Sequence, residues 1–302
     1  MSAVRVANAP LSYGAFEMTV GTSFPVPDPE QVLVAMGDAG YDGTDLGPPG
    51  YLGEGDDLRR RLESHQLDIV GGFVPVAFSE RERWDFAGLH HTLDVFDAAG
   101  ASGALAVLCD AGGPERFANP GRGGEDASLR LGDGRWQTLV DGVERAAEAA
   151  RERGYEPVFH HHTSTYVEGV SEIELFLEDS GVPLLLDSGH IAVAGGDALT
   201  ALSDWGDRIA AIHVKDVRLD VLAGVKQERA DTLTAWRRGL FCALGDGDVD
   251  LDGFCAALDE RGYDGWVVVE QDRVLENADG AFAAAAAEQE RNREWLREHA
   301  GW

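Results

Sequence analysis

Gly154-Tyr155-Glu156-Pro157-Val158-Phe159-His160-His161-His162 starts at a helix stop, runs through a short apolar segment and ends in imidazoles. Further on, Pro183-Leu184-Leu185-Leu186-Asp187-Ser188-Gly189-His190 repeats the plan with an aspartate at the end of the apolar run. Ile212-His213-Val214-Lys215-Asp216 and Val267-Val268-Val269-Glu270-Gln271-Asp272 follow it twice more. Continuous apolar runs of four or so residues suit strands buried on both faces of a parallel sheet.

Working outward, the same reading gives strands at Val4–Ala7, Gly43–Leu46, Asp68–Val74, Ala104–Leu108, Pro157–His160, Pro183–Leu186, Ile209–His213 and Trp266–Glu270. Helical patterns alternate with them. Phe86, Leu89, Leu93 and Phe96 recur at helical spacing before Gly100. Asp28–Ala39, Asp57–His65, Trp136–Arg153, Ser171–Ser180, Asp197–Trp205, Asp252–Arg261 and Asp279–Ala300 also read as helices. Gly40-Tyr41-Asp42, Gly154-Tyr155-Glu156 and Gly262-Tyr263-Asp264 mark three copies of one helix-to-strand junction. Roughly eight strands alternating with roughly eight helices predict a (β/α)8 barrel, a single domain over residues 1–302. Gly112–Gly134 reads as a long loop over the C-terminal mouth, and Lys226–Leu240 as a second covering insertion.

Composition narrows the function. With 54 acidic against 25 basic side chains the formal charge is −29, which repels phosphate backbones and argues against nucleic acid as a partner. No apolar run approaches the roughly 18–20 residues that span a bilayer, and the N-terminus lacks a basic-then-apolar leader pattern. Three unevenly spaced cysteines, Cys109, Cys242 and Cys255, make no disulfide framework, so a reducing cytoplasm is expected. Gly-x-Gly-x-x-Gly, Walker and Gly-x-Ser-x-Gly motifs are absent.

The strand ends carry the chemistry. Four consecutive strands close in His, Asp, His and Glu, and in a barrel such ends converge on one mouth. Imidazole and carboxylate are ligands for a borderline divalent cation. Alternation puts His160 and His162 on one face and His161 on the other, which leaves His161 the weakest of the triplet. His90-His91 falls mid-helix and reads as solvated surface. Asp248-Val249-Asp250-Leu251-Asp252-Gly253 loosely fits a calcium loop, but no helix leads into it, and Asp252 is better read as a helix cap.

At these residues the chain resembles the xylose-isomerase-like barrels, which include sugar-phosphate isomerases and epimerases, and among them the inosose (2-keto-myo-inositol) dehydratases. The carriers are His160–Glu168 (His-His-His-Thr-Ser-Thr-Tyr-Val-Glu), Leu184–His190 with Ala194-Gly195-Gly196-Asp197, His213–Arg218, Gly245–Asp250 and Trp266–Asp272. The resemblance implies one divalent metal in the mouth, Mn²⁺ or Co²⁺ before Zn²⁺, Fe²⁺ or Mg²⁺. Asp187, His213 and Glu270 match three of its ligands. The family's fourth is a Glu at or just after strand five. His160 holds that strand end here, so Glu168 is favoured and His160 is the fallback.

The same resemblance puts His162 and His190 at substrate-contacting positions, with Lys215 and Arg218 as further contacts. His162, His190 and Lys215 are the candidates for proton transfer, and His160, Arg218, Tyr13 and Glu17 for substrate binding. The expected activity is dehydration of a cyclic polyhydroxy ketone through an enolate. Isomerisation or epimerisation of a ketose or inosose shares the first half of that chemistry. An inactive sugar-binding barrel is the alternative from another class. The expected partner is a small polyol or ketose, with no nucleic acid and no membrane, and homo-oligomers remain open.

Overall fold

The computed structural model describes residues 4–276 and 280–302. Its strands are β1 (Arg5–Asn8), β2 (Gly43–Asp45), β3 (Asp68–Val76), β4 (Leu105–Asp110), β5 (Pro157–His160), β6 (Leu184–Asp187), β7 (Ile209–Val214), β8 (Asp216–Val217), β9 (Phe241–Cys242) and β10 (Trp266–Val269). Eight of them close a parallel barrel in the order β1-β10-β7-β6-β5-β4-β3-β2, while β8 and β9 form a small antiparallel ladder outside it. All eight expected strands form, with ends displaced by one or two residues; β4 runs on to Asp110.

The helices are α1 (Pro29–Ala39), α2 (Gly55–His65), α3 (Ala87–Ala99), α4 (Pro114–Phe117), α5 (Asp133–Glu152), α6 (Val170–Asp179), α7 (Ser188–Val193), α8 (Ala198–Trp205), α9 (Leu219–Glu228), α10 (Thr232–Arg237), α11 (Leu251–Glu260) and α12 (Ala281–His299). Asp28 and Asp197 cap α1 and α8 by accepting from Glu30 and Thr200 backbone N–H groups. Gly40, Gly154 and Gly262 all take φ between 69° and 83°, so the three Gly-Tyr junctions share the left-handed turn that a side chain would strain. Among the described residues no helix is long and apolar enough to cross a membrane.

Alternation along the strands builds the mouth. Val158, Leu185 and Ala211 pack together with Val107, and Val268 with Ala7 and Val70. Two residues further along their strands, on the same face, stand His160, Asp187, His213 and Glu270. An apolar floor therefore lies directly beneath a polar layer. Burying each floor valine or leucine contributes about 1.5–3 kcal/mol, which fixes the height at which the polar layer sits.

Three expectations need correction. The second insertion is larger than Lys226–Leu240, because α9 begins at Leu219 and Lys226 lies within it. Asp250, not Asp252, caps α11 by accepting from Gly253 N–H, and Asp252 instead meets His299. Asp279, the expected start of the last helix, lies outside the described residues.

Candidate metal centre and active-site mouth

Asp187 organises the polar layer. Its Oδ1 accepts from the N–H groups of Gly189 and His190, both at 2.8 Å, and so caps α7. Its Oδ2 is fully buried and accepts no hydrogen bond, its charge met by Lys215 Nζ at 3.3 Å. That oxygen lies 3.7 Å from His213 Nδ1 and 3.9 Å from His160 Nε2. His213 Nδ1 is 3.1 Å from Glu270 Oε2 but is not aligned with it as a hydrogen bond. One donor atom from each of His160, Asp187, His213 and Glu270 falls within 4.8 Å of all the others. Register explains the convergence: Asp187 lies directly beside His213, and His213 beside Val268, two residues before Glu270.

Buried polar atoms normally find partners, so orphaned donors aimed at one point fit a divalent ion. Two imidazoles and two carboxylates make a set neutral overall with M²⁺, of the softness that suits Mn²⁺, Co²⁺, Fe²⁺ or Zn²⁺.

Lys215 lies against this cluster. Its ammonium is 2.9 Å from Glu270, 2.9 Å from Asp272 and 3.3 Å from Asp187. Burial alone would favour the neutral amine, but the three carboxylates outweigh it and hold Lys215 charged, above the usual lysine range. Burial likewise disfavours the Glu270 carboxylate, and His213 and Lys215 reverse that, keeping it well below the usual range. Asp187 is raised by burial, against the pull of Lys215 and His213.

An ammonium can only donate, so His190 Nε2, 2.9 Å from Lys215 Nζ, must accept. His190 Nδ1–H then donates to Thr163 Oγ1 at 2.8 Å. With both nitrogens committed, His190 positions Lys215 and holds no free lone pair. His162 is the opposite case. Its Nδ1 is 2.7 Å from the Thr163 carbonyl oxygen, an acceptor only, so Nδ1 carries the hydrogen and Nε2 keeps its lone pair.

A cavity of about 570 Å³ opens above the cluster. His160, His162, His213 and Glu270 line it, as does Glu17. Lys215, His190, Arg218 and Tyr13 do not. Tyr13 is fully buried against Phe282, and Arg218 reaches the Gly239 carbonyl instead. His161 faces away from the mouth, its Nε2 accepting from Asp187 N–H. His90 is exposed and His91 meets Glu54.

Glu168 is not brought to the cluster. Its carboxylate accepts from Gly121, Gly123 and Ser164 N–H at 2.7–2.9 Å and lies 3.6 Å from Arg116. Arg116 is itself paired with Glu172 and buried. Glu168 thus pins the covering loop between α4 and α5 to the loop after β5. The cluster takes His160 in its place.

Sequence reasoning missed Asp45 and Asp110, which end β2 and β4 and line the same cavity. Burial raises both carboxyls to about 6. The rule applied to the last four strands, a polar residue closing an apolar run, would have found Asp110, whereas Asp45 follows only Gly43-Thr44. Trp236, on α10, roofs the cavity and packs edge-on against Phe16.

Residues 33–299 match the family described as the xylose isomerase-like TIM barrel. The chain belongs to that family. Within it, the inosose dehydratase of Geobacillus kaustophilus (strain HTA426) is 35% identical over 250 residues, covering 81% of this chain and 80% of that protein. That of Erwinia tasmaniensis is 30% identical over 281 residues, 90% of each chain. Among solved structures, D-allulose 3-epimerase from Methylomonas sp. superposes with a TM-score of 0.66 at 16% identity, covering 99% of this chain and 98% of that one. At that identity the likeness establishes the barrel alone.

Proposed function

We propose that this xylose isomerase-like barrel is a metal-dependent hydro-lyase that removes water from a cyclic polyhydroxy ketone such as 2-keto-myo-inositol. The observation that carries the reading is the convergence of one donor atom each from His160, Asp187, His213 and Glu270, beside a cavity that His162 lines with its Nε2 lone pair uncommitted. The relatives named inosose dehydratase supply the substrate class.

His160, Asp187, His213 and Glu270 would hold the cation, with Mn²⁺ or Co²⁺ the first choices. Such an ion supplies Lewis acidity that stabilises negative charge developing on a ketone oxygen. His162 takes the proton α to the ketone, its tautomer fixed by the Thr163 carbonyl. His190 and Thr163 hold Lys215, and Lys215 balances the carboxylates around it.

The test is to incubate Mn²⁺-loaded protein with 2-keto-myo-inositol and follow enone or diketone absorbance. Absorbance should rise, and Asp187→Ala should abolish both the rise and one-to-one Mn²⁺ binding by calorimetry. Scrambling of the substrate to an epimer in D₂O without absorbance change would point to an epimerase. Absence of Mn²⁺ or Co²⁺ binding would leave a sugar-binding barrel.

A further inference from the structure

Dehydration needs two proton carriers: one to take the α-hydrogen and one to meet the departing hydroxide. His162 supplies the first. The other two candidates for proton transfer, Lys215 and His190, are committed to each other and do not line the cavity. The donor must therefore come from the other groups that face the cavity.

Most are engaged. His160, His213 and Glu270 belong to the metal-ligand cluster. Asp272 is paired with Lys215. Asp110 accepts from the N–H groups of Gly112 and Tyr166 through Oδ2 alone, which leaves Oδ1 without a partner. Glu80 is paired with Arg83 and Arg135, and Glu115 is bonded to Tyr166. Three carboxyls remain, Asp110, Asp45 and Glu17. Asp45 and Asp110 are buried, and Asp110 ends β4, the neighbour of the strand that leads to His162, whereas Glu17 is exposed at the rim and has no ion-pair partner among the described residues.

Position separates Glu17 from His162. Glu17 follows β1, and His162 follows β5. In the closed order β1-β10-β7-β6-β5-β4-β3-β2 these strands are four apart in either direction, on opposite sides of the mouth. A ring seated over the ligand cluster would lie between them.

We propose that Glu17 is the general acid that protonates the departing hydroxyl, from the rim of the mouth opposite His162. The assignment rests on the hydro-lyase reading above. His162 Nε2 takes the α-hydrogen as a proton, leaving the electron pair as an enolate. That pair forms the carbon–carbon double bond as the β carbon–oxygen bond breaks. The oxygen leaves with the bond's electrons, takes the Glu17 proton and departs as water. Glu17 is left as carboxylate and His162 as imidazolium, and one proton passed through solvent resets both. Glu17 is exposed as a residue, but the atoms packed around its cavity-facing carboxyl, with the carboxylates of Asp45, Glu270 and Asp272, push that group up to about 7, which suits a donor at neutral pH.

The roles separate in D₂O. Removing the α-hydrogen needs the base alone, and losing water needs the acid as well. With Mn²⁺-loaded protein and 2-keto-myo-inositol, Glu17→Gln should lower kcat for dehydration by about 100-fold or more. Deuterium exchange at the α-carbon, read by NMR, should stay within about threefold of wild type, and Mn²⁺ affinity by calorimetry should not change. Glu17→Asp should recover part of the dehydration rate. Exchange that falls in step with dehydration, or dehydration that survives Glu17→Gln, overturns the assignment and leaves the lyase reading standing. Wild-type protein that exchanges the α-hydrogen but never loses water overturns both.

Discussion

Glu168 shows how much one side chain's surroundings decide. A buried carboxylate that accepts three backbone N–H groups is a fastening. Glu168→Gln leaves one of those N–H groups without an acceptor, so stability should fall by about 1–3 kcal/mol in chemical denaturation. Mn²⁺ affinity should stay within about twofold of wild type, whereas His160→Ala should weaken it at least about tenfold. Equal losses of affinity in the two variants would return Glu168 to the ligand set. Glu17 carries a pH prediction of its own. A donor must hold its proton, so kcat should be retained below about 7 and fall as pH rises through that value, with the limb missing in Glu17→Gln. Asp187, His213 and Glu270 were legible as one group because each closes an apolar strand, whereas His160, which closes a fourth, was kept only as the fallback to Glu168. The role of Glu168 was not, because its partners Gly121 and Gly123 lie 47 and 45 residues away in the chain. The family's carboxylate near strand five pointed to a ligand there, and only folding distinguishes a ligand from a fastening.

At the scale of elements, the strands were readable nearly to the residue, since burial on both faces leaves a continuous apolar run. The covering segments were not, because they pack on one another. Thr232, at the start of α10, donates to the Phe117 carbonyl and meets Ser164. Trp236 from the same helix leans on Phe16, and Arg122 reaches the Lys226 carbonyl. The roof therefore joins loops after β1, β4, β5 and β7. Trp236→Ala should raise KM by about tenfold while leaving Mn²⁺ affinity unchanged, as Michaelis kinetics and calorimetry would show. An unchanged KM would remove the roof from the substrate's path. The calcium-like loop is likewise an internal fitting. Asp216 accepts from Val217, Gly245, Gly247 and Val249 N–H, while Asp248 and Asp250 accept from Leu219 and Gly253. Its acidic spacing reflects backbone N–H groups that need acceptors.

Across the whole molecule, 29 more acidic than basic side chains must repel one another over the surface. Salt screens that repulsion, with a Debye length falling from about 10 Å at 0.1 M to about 3 Å at 1 M. The thermal midpoint should therefore rise by about 2 °C or more over that range, and a fall would show that surface ion pairs dominate. The chain has only two lysines, and one of them, Lys215, lies fully buried among Asp187, Glu270 and Asp272. The polypeptide itself thus offsets part of the charge of those three carboxylates. Chelator-treated protein should accordingly keep a cooperative melt, whereas Lys215→Met should fold only with Mn²⁺ supplied. Synthesis and metallation then become separate events in the life of the chain. An ion bound by the cluster would then join a barrel already folded, and could be exchanged without refolding its host.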